Sequence, residues 1–503
     1  MSVKLNIGAN YAGQLYSGLI GLAMVPVFLR IMHPETFALI GFFTMVQAWS
    51  QLLDLGMSAT MSRETARYFG GGISATQMRQ LLRSLEWVFW PVGMLLALAI
   101  ALASPAIVSN WLKVQALQRS DVEFALVLMG VAVGLRWIAG LYRGVISGAE
   151  RQVWLNSFNA LVSTARFLGV IPVLLLADAG AVTFFIFQAL VSVAELWIVA
   201  VAVRSLLPAA ADLTVKASFA SLRPVLNFSA GIAVATILWV FATQADKLIM
   251  SARLPLAEYG FFTAAVMAAS AITMLSAAVA QALLPHMTRL SVSGDEVALL
   301  RLYRNSSQLT AAVAGPLALV LSVLAQPVLW AWTGDRELAA SYAPVLALYA
   351  VGNAFMTLAA FPYYLQYAKG NLRLHLWGTL AFSIALVPAV YFASITFGAV
   401  GTGAVWTLSN AAFFFLWAPF VHARFVPGLH RTWLFRDIVS VLALPCLIGL
   451  LTALTGPWIV TRLEAGVLIC TISLAMFAGA FVMSDLARPR LRLLYSRLAP
   501  RLP

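Results

Sequence analysis

Gly41-Phe42-Phe43-Thr44 recurs as Gly260-Phe261-Phe262-Thr263, and each copy follows a short polar break that contains proline: Pro34-Glu35 before the first, Pro255 with Glu258 before the second. Each copy opens a long apolar run. The same motif at the same hairpin of two similar halves points to duplication of one multi-span unit, an arrangement that recurs in membrane proteins built from internal repeats.

Outward from these two copies the chain stays apolar. Of its 503 residues 62% are hydrophobic and only 10% charged, against about 25% charged in ordinary soluble domains. A bilayer core of about 30 Å takes about 20 apolar residues per helix. Backbone at that depth must satisfy its own hydrogen bonds, so the spans are expected to be helices. The runs lack the alternation of a transmembrane barrel. The expected fold class is an all-α polytopic membrane protein of about fourteen spans, near 9–31, 36–59, 85–109, 122–146, 154–177, 181–203, 224–250, 257–284, 307–332, 341–366, 375–397, 400–422, 438–459 and 464–486.

No gap between spans is long enough for a soluble catalytic domain, so neither an enzyme nor a cofactor is expected. Lys and Arg concentrate on one side: Arg63, Arg67, Arg79 and Arg83 after span 2, Arg424, Arg431 and Arg436 after span 12, and the tail from Arg488 to Arg501. That bias sets orientation and puts both termini in the cytoplasm. It also accounts for most of the formal net charge of +13, so no nucleic-acid partner is inferred. The tail reads as an interfacial segment favouring anionic lipid, or more plainly as a positive-inside tail. Cys446 and Cys470 fall inside spans 13 and 14 and suggest neither a disulfide framework nor a metal motif. The N-terminus reads as an uncleaved first span.

The expected organisation is a six-helix lobe over 1–204, a cytoplasmic linker over 205–223, a second six-helix lobe over 224–423, two further helices over 424–487 and a basic cytoplasmic tail over 488–503. Six spans is an even number, so both lobes enter from the same side as parallel repeats.

The stretches Asn10-Tyr11-Ala12-Gly13-Gln14, Pro26 and Arg30, Leu53-Asp54-Leu55-Gly56 and Ser62-Arg63-Glu64-Thr65-Ala66-Arg67, with Ala245-Asp246-Lys247-Leu248, Glu258-Tyr259-Gly260, Leu284-Pro285 and Trp332-Thr333-Gly334-Asp335 in the second half, resemble the polysaccharide transporter family. These are Wzx-type flippases of lipid-linked oligosaccharides, within the multidrug/oligosaccharidyl-lipid/polysaccharide (MOP) superfamily. The resemblance runs through roughly residues 5–425. It implies two six-helix lobes facing each other in a V around a cationic cavity. It also implies movement of undecaprenyl-diphosphate-linked oligosaccharide, for surface polysaccharide such as O-antigen, from the inner to the outer leaflet of a bacterial inner membrane. Expected partners are that lipid-linked substrate, membrane lipids and polysaccharide polymerase or assembly proteins.

Such a substrate needs a wet, cationic path, and ionisable residues deep in spans are the default candidates. Arg166 lies near the middle of span 5 and Arg136 past the middle of span 4. Arg143 is two turns from Arg136 on the same face. Arginine suits phosphate because its planar fork donates two parallel hydrogen bonds. Lys247 is a fourth path candidate. Glu195, Asp54 and Asp246 are the ion-coupling or counter-ion candidates; the plainer role for Glu195 is a fixed partner of Arg166, and for Asp54 a cap. Asp246 and Lys247, as neighbours on a helix, point to different faces, so a pairing between them is not assumed. Arg63 and Arg67 are candidates for a cytoplasmic entrance. Trp111, Trp154, Trp330, Trp332, Trp433 and Trp458 are expected in an interfacial belt, and Tyr363, Tyr364 and Tyr367 are candidates for sugar stacking. The competing functional readings are a cation-coupled multidrug antiporter, a peptidoglycan-precursor flippase and, more remotely, a membrane glycan polymerase or ligase.

Overall fold

The computed structural model describes residues 3–207, 217, 219–455 and 461–485. Most of the expected 205–223 linker, the basic tail and Trp458 lie outside the described residues. In chain order the helices are α1 (Val3–Ile31), α2 (Pro34–Ser50), α3 (Met57–Phe69), α4 (Ala75–Ala106), α5 (Arg119–Gly148), α6 (Gln152–Phe167), α7 (Val170–Leu176), α8 (Ala181–Leu206), α9 (Phe219–Arg253), α10 (Leu256–Val292), α11 (Glu296–Val323), α12 (Ala325–Thr333), α13 (Arg336–Ala368), α14 (Arg373–Ala412), α15 (Ala418–Phe425), α16 (Leu429–Thr432), α17 (Ser440–Thr455) and α18 (Arg462–Met483).

Thirteen stretches of the described residues are long and apolar enough to cross a membrane. One of them, Arg373–Phe425, has 53 residues, about 80 Å at 1.5 Å per residue, far more than one crossing needs. Its backbone reverses at Gly398, with φ 58° and ψ −140°, a conformation open to glycine because it has no Cβ. The two arms pair back on each other: Gly378 packs against Trp417, and the Phe382 and Phe413 rings lie 5.7 Å apart. This stretch is therefore two spans, and the thirteen become fourteen.

Boundaries differ from the sequence reading where capping chemistry decides. Span 2 was expected to reach residue 59 but stops at Asp54. Leu55 and Gly56 both take left-handed φ, and the Asp54 carboxylate accepts hydrogen bonds from Ser58 N and Oγ, which starts α3 as a new helix. The helix of span 3 begins ten residues early, at Ala75, because Ser74 and Gln77 form a reciprocal capping box.

Contacts divide the chain into two compact units, Met1–Gly260 and Phe261–Pro503. In the first, α4 and α5 form an antiparallel hairpin closed by glycines: Gly93 packs on Ile138, and Gly130 meets the carbonyl of Ala97. Alpha-carbon hydrogens in place of side chains let the backbones approach closely. α1 and α6 instead run parallel, since Gly13 meets Asn156, Ser17 bonds Ser163 and Gly21 meets Phe167 in rising order. α9 belongs to this unit by packing, with Phe241 edge-on to Trp49 and Ser251 accepting from Trp111 Nε1 at 3.0 Å. The contact division thus falls one span later than the 205–223 linker. The buried Glu35 carboxylate collects the backbone N–H groups of Gln115, Ala116 and Leu117, tying the α4–α5 loop to the start of α2.

Across α5, Gly140, Gly144 and Gly148 form a groove that receives α3. A Cβ on Gly144 would lie 2.6 Å from the carbonyl oxygen of Ser58, one on Gly148 would collide with Ser62, and one on Gly140 would only touch Ser58 Oγ at 3.6 Å. Gly148→Ala should therefore lower the unfolding midpoint in detergent, at a cost of about 1–3 kcal/mol for overpacking. Gly140→Ala should leave it unchanged; equal midpoints for the two variants would show that α3 is not seated in this groove.

In the second unit α17 and α18 pair antiparallel, with Gly479 on Leu444 and Gly449 on Met476, and α17 runs parallel to α11 through Gly315–Leu442 and Gly449–Leu319. Spans 13 and 14 are thus fastened to span 9. The fastening is polar at one end. The fully buried Asp437 accepts from Arg304 Nε and Nη2 at 2.6 and 2.8 Å and from Gln308 Nε2 at 2.8 Å. Beside it Trp433 Nε1 donates to Ser307 Oγ at 2.9 Å, and Tyr303 Oη lies 2.7 Å from His422 Nε2. Trp433, expected in an interfacial belt, is instead fully buried in this network. Elsewhere in the unit Asn353 joins α10, α13 and α14, donating to the Ala269 carbonyl and accepting from Trp406 Nε1.

Candidate functional site: an arginine-lined cavity

The site begins with a pattern on α6. Gln152, Asn156, Asn159, Ser163 and Arg166 are spaced four, three, four and three residues apart, which places them on one helical face. That polar stripe, inside a largely apolar span, is the signal that reading single charges overlooks. α1 lies parallel to it with Gln14 and Ser17, α5 supplies Arg136 and Arg143, and α8 supplies Gln188, Ser192 and Glu195 at spacings of four and three.

Together these faces enclose a cavity of about 420 Å³ in the first unit, lined by Gln14, Gln47, Arg136, Arg143, Asn159 and Arg166 among others, with no acidic residue in the lining. Glu195, 1% exposed, stands behind it. Each of its oxygens takes one guanidinium: Nη2 of Arg143 binds Oε1 and Nη2 of Arg166 binds Oε2. Arg166, 5% exposed, also reaches Ser192 Oγ at 3.3 Å, and its carbonyl accepts from Gln188 Nε2 at 3.1 Å. Arg136 has no carboxylate. Its Nη1 donates to Gln47 Oε1 at 2.6 Å, and its guanidinium sits 5.8 Å from the Phe43 ring centre, a cation–π distance.

Three guanidiniums against one carboxylate leave two positive charges uncompensated in this cluster. Donor capacity is also left over: Nε of Arg136, Nε of Arg143, and Nε and Nη1 of Arg166 are buried without a hydrogen-bond partner among the described residues. Unpaired buried donors are costly, and an anion with several acceptor oxygens would relieve them. Among the described residues no cluster of His, Cys, Asp and Glu could hold a metal ion.

The structure thus brings Arg136, Arg143, Arg166 and Glu195 together and places the other candidates apart. Lys247 and Asp246 do not line the cavity. They pair with each other, with Lys247 Nζ 3.1 Å from Asp246 Oδ1 and also donating to the Thr243 carbonyl; the long lysine stem folds back where a short side chain could not. Asp54 caps α3. Arg63 and Arg67 project from α3, each about half exposed and close to Glu64. Tyr363, Tyr364 and Tyr367 pack on one another and on His375 in the second unit.

The described residues thus form a bundle of membrane-spanning helices with an interior cationic cavity. Residues 3–291 match the family described as polysaccharide biosynthesis protein, and the chain belongs to that family. It is 21% identical over 414 residues, 81% of this chain and 95% of the relative, to a Shigella flexneri protein described as a candidate O-antigen transporter. Among solved structures it resembles the lipid II flippase MurJ in an inward closed conformation, with TM-score 0.73 and 10% identity over 97% of this chain and 99% of that one. It also resembles an inward-facing multidrug resistance MATE family transporter of the MOP superfamily, with TM-score 0.61 and 15% identity over 84% and 96%. A Vibrio cholerae MATE transporter aligns with TM-score 0.56 and 14% identity over 84% and 98%. The fold is that of the MOP superfamily.

Proposed function

We propose that the protein is a flippase that carries undecaprenyl-diphosphate-linked oligosaccharide from the inner to the outer leaflet of the bacterial inner membrane by alternating access, without chemical change to the substrate. The observation that carries this reading is the charge of the cavity. Two uncompensated guanidinium charges match a diphosphate of about two negative charges, and the unpaired Nε and Nη donors match its acceptor oxygens. Family membership and the curated relative support the glycan part of the reading. A cavity with this sign repels the organic cations a multidrug antiporter would take. In this reading both termini are cytoplasmic, the polyprenyl tail stays in lipid, and polysaccharide polymerase or assembly proteins receive the product.

The test is a deletion strain. It should lose a surface polysaccharide and accumulate the corresponding lipid-linked unit on the inner leaflet, with dye efflux unaltered. Intact surface glycan together with reduced dye efflux would overturn the proposal in favour of a drug antiporter.

A further inference from the structure

The arginine cluster accounts for a diphosphate but not for everything polar in the cavity. Five carboxamides line it: Gln14, Gln47, Asn156, Asn159 and Gln188. Three are engaged within the protein. Gln47 Oε1 accepts from Arg136, Asn156 Nδ2 donates to the Gln152 carbonyl, and Gln188 Nε2 donates to the Arg166 carbonyl. Gln14 and Asn159 make no hydrogen bond within the protein among the described residues, and both retain exposed surface.

These two residues share a layer. α1 and α6 are locked in parallel register by Gly13 against Asn156 on one side and by Ser17 Oγ 3.1 Å from Ser163 Oγ on the other. Gln14 falls between Gly13 and Ser17 in sequence, and Asn159 between Asn156 and Ser163. Along α6, Asn159 precedes Arg166 by two turns, about 10 Å at 1.5 Å per residue. An anion held by Arg166 and Arg143 would therefore present whatever is bonded to it to a layer with two open carboxamides.

We propose that Gln14 and Asn159 form a glycan-reading subsite that binds the hydroxyl or acetamido groups of the sugar attached to the diphosphate; this rests on the flippase reading. A carboxamide donates through its NH2 and accepts through its oxygen, as hydroxyl and acetamido groups themselves do. It carries no charge to compete with the arginines for the phosphates. The arginines supply attraction for any polyprenyl diphosphate, and the carboxamide layer distinguishes a glycosylated lipid from a bare one.

The experiment uses full-length protein in proteoliposomes and two fluorescent probes, undecaprenyl diphosphate and undecaprenyl-diphosphate-N-acetylglucosamine, scoring leaflet exchange of each. The variants are Asn159→Leu and Gln14→Met, close in shape to the native residues and lying on different helices, so that a folding defect in one leaves the other informative. Wild type should exchange the glycosylated probe faster than the bare one. Each variant should lower the glycosylated rate by about tenfold, the loss of one or two neutral hydrogen bonds, and leave the bare rate unchanged. Equal slowing of both probes, an unchanged ratio, or a wild type without preference would overturn the subsite while leaving the flippase intact. A wild type that moves neither probe would overturn the flippase reading itself.

Discussion

Replacing Glu195 by alanine will destabilise the protein more than replacing either arginine it holds. The carboxylate serves Arg143 through one oxygen and Arg166 through the other. Removing it strands two guanidiniums beside Arg136, and an uncompensated buried charge costs about 3–5 kcal/mol. Arg166→Ala leaves Glu195 still paired with Arg143, so the protein should stay in the membrane at near-normal level. Transport should nearly vanish in Arg166→Ala and fall only partly in Arg166→Lys, which keeps the charge but loses the bidentate fork. The Arg166→Ala, Glu195→Ala double variant should recover part of the lost thermal stability, because only Arg143 is then stranded, and none of the transport. Unfolding midpoints in detergent and leaflet exchange of the glycosylated probe check these outcomes. A fully active Arg166→Ala protein, or equal midpoints for Arg166→Ala and Glu195→Ala, would show that the cluster is not organised this way.

The second large effect is expected at the polar fastening of spans 13 and 14. Asp437 is 0% exposed, whereas the side chain of Arg304 keeps 28% of its surface. Arg304→Ala would leave a buried carboxylate with Gln308 as its remaining hydrogen-bonded partner, at a cost of about 3–5 kcal/mol. Asp437→Ala would instead leave a cation whose flexible stem can carry it to water, so its loss should be clearly smaller. Unfolding midpoints of the two variants measure the asymmetry, and the reverse order would contradict the assignment of Asp437 as the buried member. A cysteine pair at Gly315 and Leu442 should also form a disulfide less readily in Arg304→Ala if span 13 loosens from span 9.

How much of this was legible beforehand follows from the range of the forces involved. Span positions come from local hydrophobicity, so even the reversal between residues 397 and 400 could be read from the sequence. Capping is local too, but in Leu53-Asp54-Leu55-Gly56 three apolar or small residues surround a single acid, so the hydropathy of span 2 runs on through the break. The four-three spacing of Gln152, Asn156, Asn159, Ser163 and Arg166 is present in the sequence, but it carries a single formal charge, so a search for buried charges does not register it. Arg143, Arg166 and Glu195 each stand out in the sequence as ionisable residues in apolar spans. That one acid serves two arginines depends on how α5, α6 and α8 pack, which periodicity along any single helix does not encode. The pairing of Lys247 with Asp246 and the burial of Trp433 belong to the same class: a flexible stem and a neighbouring span decided them.

The turn at Gly398 bears on how the chain is made. From Tyr391 to Trp406, through the reversal, there is not one ionisable side chain that titrates near neutrality. A charged residue at the centre of an inserting helix carries a penalty of about 2.5–3.5 kcal/mol, and this pair of arms has none to haul across at its tip. Spans 11 and 12 can therefore slip into the bilayer together, already folded against each other, as a single event during synthesis. A lysine placed beside Gly398 would then act on the nascent chain, through that insertion penalty, more than on the finished hairpin, where the space around Gly398 is open.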